Sequence, residues 1–368
     1  QALIATLRAG KLVGDGENTK LASERLRSLV GVSHALLTTS CTHALELAMM
    51  VINIKPGEEV IVPSFTFVST ANAIMRQWGH AVFAEIRPDT LTIAVDDIKR
   101  HITPRTRAIL PVGYAGVSPD MDELMELARK HRLVVIEDAA QSVGAYYKGK
   151  AQGTIGDMGC YSFHETKNFS TGEGGAFVTN NDEYATQAEI IREKGTNKKQ
   201  FLLGLVEKYT WVAVGSSYLP SDATAAMLIS QLEKMAFIQQ RRETIHRRYA
   251  EAFQPLADSG MLVLPTIPAH SKSNHHIFYV LMKDEATRSD ALSFFRSKGI
   301  GTTFHYLPLH LSPVGQTILG YKQGDFPVTE SVSARLLRLP IYPSLTDDEQ
   351  SYVIEMMKEF FHRTQMGT

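Results

Sequence analysis

The chain has 368 residues, of which 44% are hydrophobic and 21% charged, a composition typical of a globular protein of about two domains. Its formal net charge of −1 argues against a chain-wide attraction to nucleic acid or to an anionic membrane, so an anionic ligand must be held by local groups. Two cysteines, Cys41 and Cys160, suggest neither a disulfide framework nor a zinc or other metal cluster, and they favour a reducing, cytoplasmic compartment. The first ten residues lack the apolar stretch of a secretory signal, and no apolar run is long enough to predict a membrane span.

The first two-thirds of the chain alternate strand-like and helix-like segments. The predicted strands are Glu59–Pro63, Ala81–Glu85, Arg107–Val112, Leu133–Glu137, Asp157–Phe163 and Gly175–Thr179. Helical spacing predicts helices at Phe67–Gln77 and Asp120–His131, and a third helix directly after a Ser/Thr cluster at Thr39–His43. Strands that alternate with helices indicate an α/β fold with a mostly parallel, mixed sheet flanked by helices.

The apolar spacing changes in the last third of the chain. One helical stripe runs from Ser221 to Phe253 and predicts a single long helix that leaves the first domain. The elements predicted after it are strands at His276–Met282 and Thr302–Tyr306 and helices at Ser289–Lys298 and Asp347–Arg363. We therefore predict a large α/β domain over residues 1–235 and a smaller C-terminal α+β domain over residues 236–368.

The Ser/Thr cluster Thr39–His43 precedes a helix whose apolar residues, Leu45 to Ile52, share one face. The free N–H groups and the dipole of a helix N-terminus favour a phosphate group. Taken alone, the cluster is more simply a helix N-cap. It becomes a candidate phosphate site only together with other residues.

Two further motifs follow predicted strands. Asp138 comes directly after the apolar strand Leu133–Glu137, and ligand groups in open α/β sheets lie at the carboxyl ends of strands. Lys167 follows the strand Asp157–Phe163 and precedes the glycine-rich turn Gly172–Gly175, where partial burial would lower its pKa and make it a nucleophile. Alone, Asp138 is as readily a loop or capping acid, and Lys167 a solvated surface lysine. Together a phosphate cradle, a carboxylate for a pyridinium and a lysine amine are what pyridoxal phosphate (PLP) requires of a protein.

At these motifs the chain resembles the DegT/DnrJ/EryC1/StrS sugar aminotransferases, which are fold type I PLP enzymes. The resemblance runs over nearly the whole chain. It depends on the segments Pro63–Asn72, Glu137–Gln141, Ser162–Asn168 and Gly172–Gly175. It implies the PLP-binding large domain and the smaller C-terminal domain of that fold type.

The resemblance also implies roles for individual residues. Lys167 is the Schiff-base lysine, and Asp138 contacts the pyridine nitrogen. The other residues expected at the cofactor are Cys41, Thr42, His43, Phe67, Ala140, Gln141, Ser162 and His164. In this assignment Phe67 stacks on the ring, Gln141 lies near the ring hydroxyl, and Ser162, Thr42 and the backbone of Cys41 and His43 hold the phosphate. Phe67 as plain core and His164 as a hydrogen-bonding core histidine are the alternatives.

Further stretches are similar to the branch of the family that aminates dTDP-4-keto-6-deoxyhexoses. That branch implies glutamate as donor, dTDP-4-amino-4,6-dideoxygalactose as product, and a place in O-antigen or enterobacterial common antigen synthesis. Tyr209 and Trp211, and His305, Tyr306 and His310 of the small domain, are the residues expected at the sugar nucleotide. For Tyr209 and Trp211, core or dimer interface is an equal alternative. UDP-, GDP- or 3-keto sugars remain alternative substrates.

A basic cluster after a predicted helix is a candidate for the diphosphate of a sugar nucleotide. It comprises Arg192, Lys194, Lys198 and Lys199, and a solvated charge run is the favoured alternative for each residue. The family also implies a homodimer with shared active sites. Many members place an asparagine of the partner subunit where this chain has Leu219, so Ser217 or a backbone group is the alternative donor at that point.

Three other functions agree less well with the sequence. A related branch replaces the lysine by histidine and dehydrates sugars, and Lys167 argues against it. A regulator built on the PLP fold would add a DNA-binding module, for which no helix-turn-helix segment or basic arm is left outside the two domains. An amino-acid aminotransferase is disfavoured by the family motifs. The sequence thus predicts a PLP-dependent sugar aminotransferase.

Overall fold

The computed structural model describes residues 2–366, with side chains up to residue 363. The strands of the first part are β1 His34–Thr38, β2 Glu59–Pro63, β3 His80–Ala84, β4 Thr106–Ile109, β5 Val134–Asp138, β6 Tyr146–Tyr147, β7 Lys150–Ala151, β8 Met158–Ser162 and β9 Gly175–Thr179. The helices are α1 Ala2–Ala9, α2 Glu17–Val30, α3 Cys41–Val51, α4 Val68–Met75, α5 Val95–His101, α6 Met121–His131, α7 Asp182–Arg192, α8 Lys198–Leu202 and α9 Asp222–Leu232.

Seven of these strands form one sheet in the order β1-β9-β8-β5-β4-β2-β3. Six strands run in the same direction, and β9 alone is antiparallel to its neighbours β1 and β8. Strands such as β2 and β5 are buried along their whole length, which explains their continuous apolar sequences. The predicted α/β fold with a mostly parallel, mixed sheet is therefore confirmed.

Helices cover both faces of the sheet because successive strand residues point to opposite sides. On one face Val60, Val62 and Ile136 pack with α3, α4 and α7. On the other face Ile61 and Val135 pack with α5 and α6, while α2 and α9 cover the β1–β9–β8 end. The result is a three-layer arrangement that leaves the carboxyl edge of the sheet open.

The last third of the chain builds a second, smaller sheet. Its elements are α10 Met235–Asp258, β10 Leu262–Val263, β11 Ser271–Lys272, β12 Phe278–Met282, α11 Glu285–Ser297, a 3-10 turn at Leu309–Leu311, α12 Pro313–Thr317, α13 Pro327–Arg335, β13 Leu336–Leu339 and α14 Asp347–Met366. Strands β10, β12 and β13 are antiparallel, whereas β11 pairs with β6. Phe253, Phe278 and Phe295 fill the separate core of this part. The division at residues 235 and 236 remains a prediction; Met235 and Ile238 still pack in the core beneath the large sheet.

Two element predictions were wrong. The helix predicted over Ser221–Phe253 is two helices, because α9 packs on α2 in the large part whereas α10 continues into the second core. The strand predicted over Thr302–Tyr306 is reduced to one bridge, from Thr303 to Arg338. Neighbouring residues of a strand point to opposite sides, yet His305 and Tyr306 line the same cavity, so the chain must leave the sheet here. Among the described residues no helix is long and apolar enough to cross a membrane.

Candidate active site

A cavity of about 410 Å³ lies at the carboxyl edge of the large sheet. Strands β1, β5 and β8 end there, which places the three motifs singled out in the sequence side by side. The lining includes Cys41, Thr42, Phe67, Ser69, Thr70, Asp138, Ala140, Gln141, Ser162, His164 and Lys167 from the large part and His276, His305, Tyr306 and Arg338 from the segments that follow α10. Nine of the ten residues predicted at the cofactor are among them; His43 is the exception.

The amino end of α3 forms one end of the cavity. Ser40 caps the helix, and its hydroxyl accepts the N–H of His43 at 3.1 Å. In the described part of the chain the N–H groups of Cys41 and Thr42 have no acceptor, as is usual for a first helical turn. A side chain at Gly175 would clash with the backbone of Ser40 and Cys41, so glycine is needed for β9 to begin against the helix. The site fits an anion.

His43 itself points away from this end. Its ring stacks on Tyr218 with the ring centroids 4.7 Å apart, and its Nδ1 is hydrogen-bonded to the hydroxyl of Thr39. Its backbone N–H serves the Ser40 cap. The backbone N–H of His43, which was predicted to contact the phosphate, is therefore already hydrogen-bonded. The N–H groups of Cys41 and Thr42 remain as the helix donors.

Hydroxyl groups complete this end. The Thr42 and Ser69 hydroxyls are 2.8 Å apart, and the Ser162 hydroxyl accepts the N–H of His164 at 3.3 Å. An oxygen that accepts one hydrogen bond still has its own proton to donate, so Ser162 can donate to a ligand oxygen. The cavity thus offers two backbone N–H groups and several hydroxyls to one anionic group.

Asp138 ends β5, and its carboxylate is almost fully buried. One oxygen accepts the Thr70 hydroxyl at 2.8 Å and the other the N–H of Ala140 at 3.1 Å. Burial raises the pKa of Asp138, while these hydrogen bonds and the charge of Lys167 act in the opposite direction. A cationic ring nitrogen would offset the cost of keeping this carboxylate ionised.

Lys167 lies in the turn between β8 and β9, where its N–H donates to the carbonyl of His164 at 2.9 Å. Its ammonium group has neither a hydrogen bond nor an ion pair with any residue that the structure describes. Burial lowers the pKa of Lys167, although Cys41 and Asp138 oppose the shift. The amine is therefore closer to the neutral, nucleophilic form than a surface lysine.

The remaining predicted cofactor residues form the walls. Phe67 precedes α4 and is 57% exposed, with its ring open to the cavity. Gln141 is held on both sides: its Oε1 accepts the N–H of Ala115 at 2.8 Å, and its Nε2 donates to the Tyr306 hydroxyl at 2.9 Å. His164 lies at the rim, 3.6 Å from the carboxylate of Glu173. An open aromatic face, an anion cradle, an amine and a carboxylate are the groups that PLP needs, and the site fits this cofactor.

Two of the three residues predicted to face the sugar from the small domain reach the cavity. His305 is 3.1 Å from the Tyr114 hydroxyl, and burial together with the charges of Arg338 and Lys167 lowers its pKa to about 2, so its ring is neutral. Burial raises the pKa of the Tyr306 hydroxyl, next to Gln141, well above its ordinary value.

His310, the third residue predicted to face the sugar, does not lie at the cavity. Its fully buried ring lies between the Ser64 hydroxyl, at 2.7 Å, and the Glu330 carboxylate, at 3.0 Å, and does not line the cavity. It lies within the 3-10 turn Leu309–Leu311, on the side that faces the core. A histidine with both nitrogens engaged in this way is a structural residue.

The residues predicted at the nucleotide lie outside the cavity of this chain. Tyr209 and Trp211 are exposed, in a segment that follows α8. Arg192 is buried and donates to the Leu37 carbonyl and to Asp15, so it is structural. The three lysines of the basic cluster, Lys194, Lys198 and Lys199, pair with Glu193 or Glu189, as expected for a charge run on the surface.

Four of the lining residues named above had no role predicted from the sequence, namely Ser69, Thr70, His276 and Arg338. Thr70 lies within the segment Pro63–Asn72, and its hydroxyl donates to the carboxylate of Asp138. His276 is buried and hydrogen-bonded to Asn168 at 3.0 Å. Arg338 lies inside the apolar strand Leu336–Leu339 and lines the cavity. A single arginine within an apolar strand was the one available signal for Arg338.

Comparison with known proteins agrees with this geometry. The model of the DegT/DnrJ/EryC1/StrS aminotransferase family matches residues 1–358. The spore coat polysaccharide biosynthesis protein SpsC of Bacillus subtilis is 36% identical over 98% of this chain and 93% of its own. The S. venezuelae DesV structure superposes with a TM-score of 0.89 at 31% identity, over 98% of this chain and 93% of DesV.

A third similar protein is Helicobacter pylori PseC, an aminotransferase of pseudoaminic acid biosynthesis. It superposes with a TM-score of 0.90 at 26% identity, over 98% of this chain and 95% of PseC. These matches confirm the predicted family and fold class, and they support the predicted transaminase activity and the predicted cofactor, pyridoxal phosphate. The chain belongs to the DegT/DnrJ/EryC1/StrS aminotransferase family.

Proposed function

We propose that this chain transfers the amino group of glutamate to the C4 keto group of a dTDP-4-keto-6-deoxyhexose, giving dTDP-4-amino-4,6-dideoxygalactose. The observation that carries the amino-transfer step is the unpaired amine of Lys167, which shares one cavity with Asp138 and the amino end of α3. When bound, PLP supplies an electron sink for the carbon that loses or gains a proton. SpsC and PseC, similar proteins named for polysaccharide and pseudoaminic acid biosynthesis, support a sugar substrate.

Each residue then has a defined task. The N–H groups of Cys41 and Thr42 and the hydroxyls of Thr42 and Ser162 hold the cofactor phosphate. Asp138 accepts a hydrogen bond from the ring nitrogen and keeps it protonated, and the Thr70 hydroxyl orients that carboxylate. Phe67 covers one face of the ring, and Gln141 lies at the ring hydroxyl.

Lys167 moves the proton. With PLP bound as the electron sink, its amine would accept the proton that leaves the α-carbon of the donor, and a placed group of this kind contributes about 10²–10⁴-fold to the rate. The amine must be neutral to accept the proton, and burial lowers its pKa in that direction. His305 stays neutral beside it, so it acts as a hydrogen-bonding group and adds no positive charge.

The dTDP-4-keto sugar is the finer part of the proposal, and it rests on similarity of segments such as His305–His310 to one branch of the family. A coupled assay with glutamate and a panel of dTDP-, UDP- and GDP-linked 4-keto-6-deoxy sugars, with one 3-keto sugar, tests it. We expect the highest kcat/KM with the dTDP-4-keto sugar. Turnover of a UDP or GDP substrate alone would change the nucleotide, and turnover of amino-acid ketones alone would overturn the substrate class.

A homodimer belongs to the same proposal. The segment 201–214 exposes eight large apolar side chains within a short stretch, and a concentration of this kind often marks an interaction surface. Its exposed apolar residues are Phe201, Leu202, Leu203, Leu205, Tyr209, Trp211, Val212 and Val214. In the dimer, Tyr209 and Trp211 would be buried against the partner and reach the nucleotide in the partner's cavity.

Sedimentation velocity tests the dimer. We expect the wild type to sediment as a dimer, and Leu205→Ser with Trp211→Ser to shift it towards monomer. Val263→Ser, an exposed apolar residue on β10, is the matched control and should leave the mass unchanged. A monomeric wild type would contradict this part of the proposal without touching the chemistry at Lys167.

A further inference from the structure

Among the described residues, Arg338 is the one arginine that lines the cavity, and the tasks above leave it unused. It lies on β13, between Leu337 and Leu339, both of which are buried in the small-domain core. Its Nε is buried and has no hydrogen-bond partner, and its other guanidinium nitrogens have none among the described residues. From β13 the side chain reaches the cavity that Lys167 also lines.

The buried arginines elsewhere are different. Arg192 donates to the Leu37 carbonyl and to Asp15, and Arg242 donates to the carbonyls of His275 and His276. Both have an unpaired Nε, but their terminal nitrogens fasten two parts of the fold. The Arg338 side chain forms no hydrogen bond or ion pair that would connect two parts of the described fold. A partly buried guanidinium whose Nε has no acceptor costs free energy, and a bound anion would offset this cost.

We infer that Arg338 binds the α-carboxylate of the amino donor and so selects the donor; the inference rests on the proposed function. A guanidinium presents paired N–H donors that match a carboxylate. Three observations favour this occupant over other anions, namely where Arg338 lies, which charges surround it, and what the two substrates carry at their reacting carbons.

The location is set by Lys167, since the reacting carbon of either substrate must come to its amine. The α-carboxylate of glutamate is bonded directly to that carbon, so it must lie in the cavity close to Lys167. The diphosphate of a sugar nucleotide is attached at C1, across the sugar ring from C4, and therefore lies farther from the amine. A group that lines the same cavity as Lys167 matches the carboxylate better.

The charges agree with this assignment. Lys167 and Arg338 act on each other as like charges, and Arg338 lowers the pKa of Lys167, His305 and His276. Two carboxylates line the cavity: Asp138 is occupied by Thr70 and Ala140, and Glu173 lies at the rim beside His164. Neither forms an ion pair with Arg338, so an added carboxylate would meet a guanidinium that no carboxylate of the described chain already holds.

The test separates the two half-reactions of the holoenzyme. Single-turnover absorbance changes report the amino-donor half with glutamate and the reverse sugar half with the 4-amino sugar. For Arg338→Gln we expect kcat/KM for glutamate to fall by about 10- to 200-fold, the range of one hydrogen bond to a charged group. The sugar half should change by less than about 3-fold, and Arg338→Lys should recover part of the loss because it keeps the charge.

The donor series assigns the carboxylate. The wild type should discriminate strongly against isoglutamine, in which the α-carboxylate is an amide, and Arg338→Gln should lose most of that discrimination. Discrimination against glutamine, whose side-chain carboxylate is an amide, should stay the same in both proteins. Arg296→Gln, an exposed arginine on α11 with no partner in the described part of the chain, is the matched control and should behave as the wild type.

Thermal unfolding distinguishes a structural role. Because its guanidinium pairs with nothing, Arg338→Gln should melt no lower than the wild type. Equal losses in both half-reactions, a loss confined to the sugar half, or a lowered Tm would each overturn the assignment. A wild type that reacts with neither glutamate nor any sugar would overturn the proposed function as well, whereas a wild type active in both and matched by Arg338→Gln would overturn the assignment alone.

Discussion

Glu137 and Asp138 are neighbours at the end of β5, and both carboxylates are buried, yet their surroundings differ. Glu137 accepts the N–H groups of Gly153, Ile155 and Gly156 at 2.6–2.7 Å. Asp138 points to the other side of the sheet, accepts two hydrogen bonds and lines the cavity. The first carboxylate has its partners within the fold, whereas the second has capacity left for a ligand.

The same contrast separates other pairs. Among histidines, His310 has both ring nitrogens hydrogen-bonded, whereas His305 has one hydrogen bond and lines the cavity. Among arginines, Arg192 fastens the fold and Arg338 has no partner in the part of the chain that is described. A buried polar group with its hydrogen bonds filled stabilises the fold, and one left open at a cavity is available for function.

Lys167→Ala should show the largest effect, because the Lys167 amine lines the cavity without any hydrogen-bond or ion-pair partner in the described chain. We expect turnover to fall by at least about 10⁴-fold, since the attachment point and the proton carrier are lost together. The free energy of unfolding should not fall, because the ammonium group pairs with nothing in the described chain. Lys130→Ala, on the exposed side of α6, should retain full turnover.

The neighbouring carboxylates should respond in opposite ways. Asp138→Asn should lower turnover by about 10²–10⁴-fold, because the ring nitrogen loses its carboxylate, and should leave stability nearly unchanged. Glu137→Gln turns an amide N–H toward a backbone donor and should cost roughly 1–3 kcal/mol of unfolding free energy. Steady-state kinetics and denaturant unfolding of both variants provide the measurements. Equal losses of activity and stability in the two variants would contradict the proposed difference between Glu137 and Asp138.

The pH dependence of stability sharpens the case of Lys167. Burial lowers its pKa, so charging this amine destabilises the fold; the destabilisation is absent above the ordinary lysine pKa, grows as pH falls below it and is complete once pH is below the lowered pKa. Cofactor-free Lys167→Met lacks this destabilisation and should melt above the wild type at pH 7. The difference should shrink as pH rises towards the ordinary lysine value of 10.5. A difference in Tm that does not depend on pH would contradict the assigned burial.

The smallest expected effect concerns two aromatic residues of one loop. Phe67 is 57% exposed at the cavity, whereas Phe65 is 1% exposed in a core cluster. Phe67→Leu should weaken PLP binding by about 2- to 12-fold, the range for one aromatic contact, with Tm unchanged. Phe65→Leu should lower Tm, because the smaller side chain fills the core cluster less well, and should leave the affinity for PLP within about 2-fold. Fluorescence titration with PLP and thermal melts provide the two readouts.

The part of the site that local sequence determines was predictable. Asp138, Lys167 and Ser162 follow or end apolar strands, and parallel strands bring such ends to one edge of the sheet. Residues whose position depends on distant packing were not. His310 shares its motif with His305 but turns into the core, and Arg338 reaches the cavity from the second sheet, more than 150 residues beyond Lys167. The break between α9 and α10 also depends on tertiary packing, since no glycine or proline marks it.

The covalent link between Lys167 and the cofactor is the most direct test of this account. Purified protein would be incubated with PLP, reduced with sodium borohydride, digested and analysed by mass spectrometry. We predict the added cofactor mass on the peptide that contains Lys167, and no added mass at that peptide in Lys167→Ala. Labelling of other lysines with Lys167 left unmodified, or an unchanged yellow chromophore in Lys167→Ala together with full turnover, would contradict it.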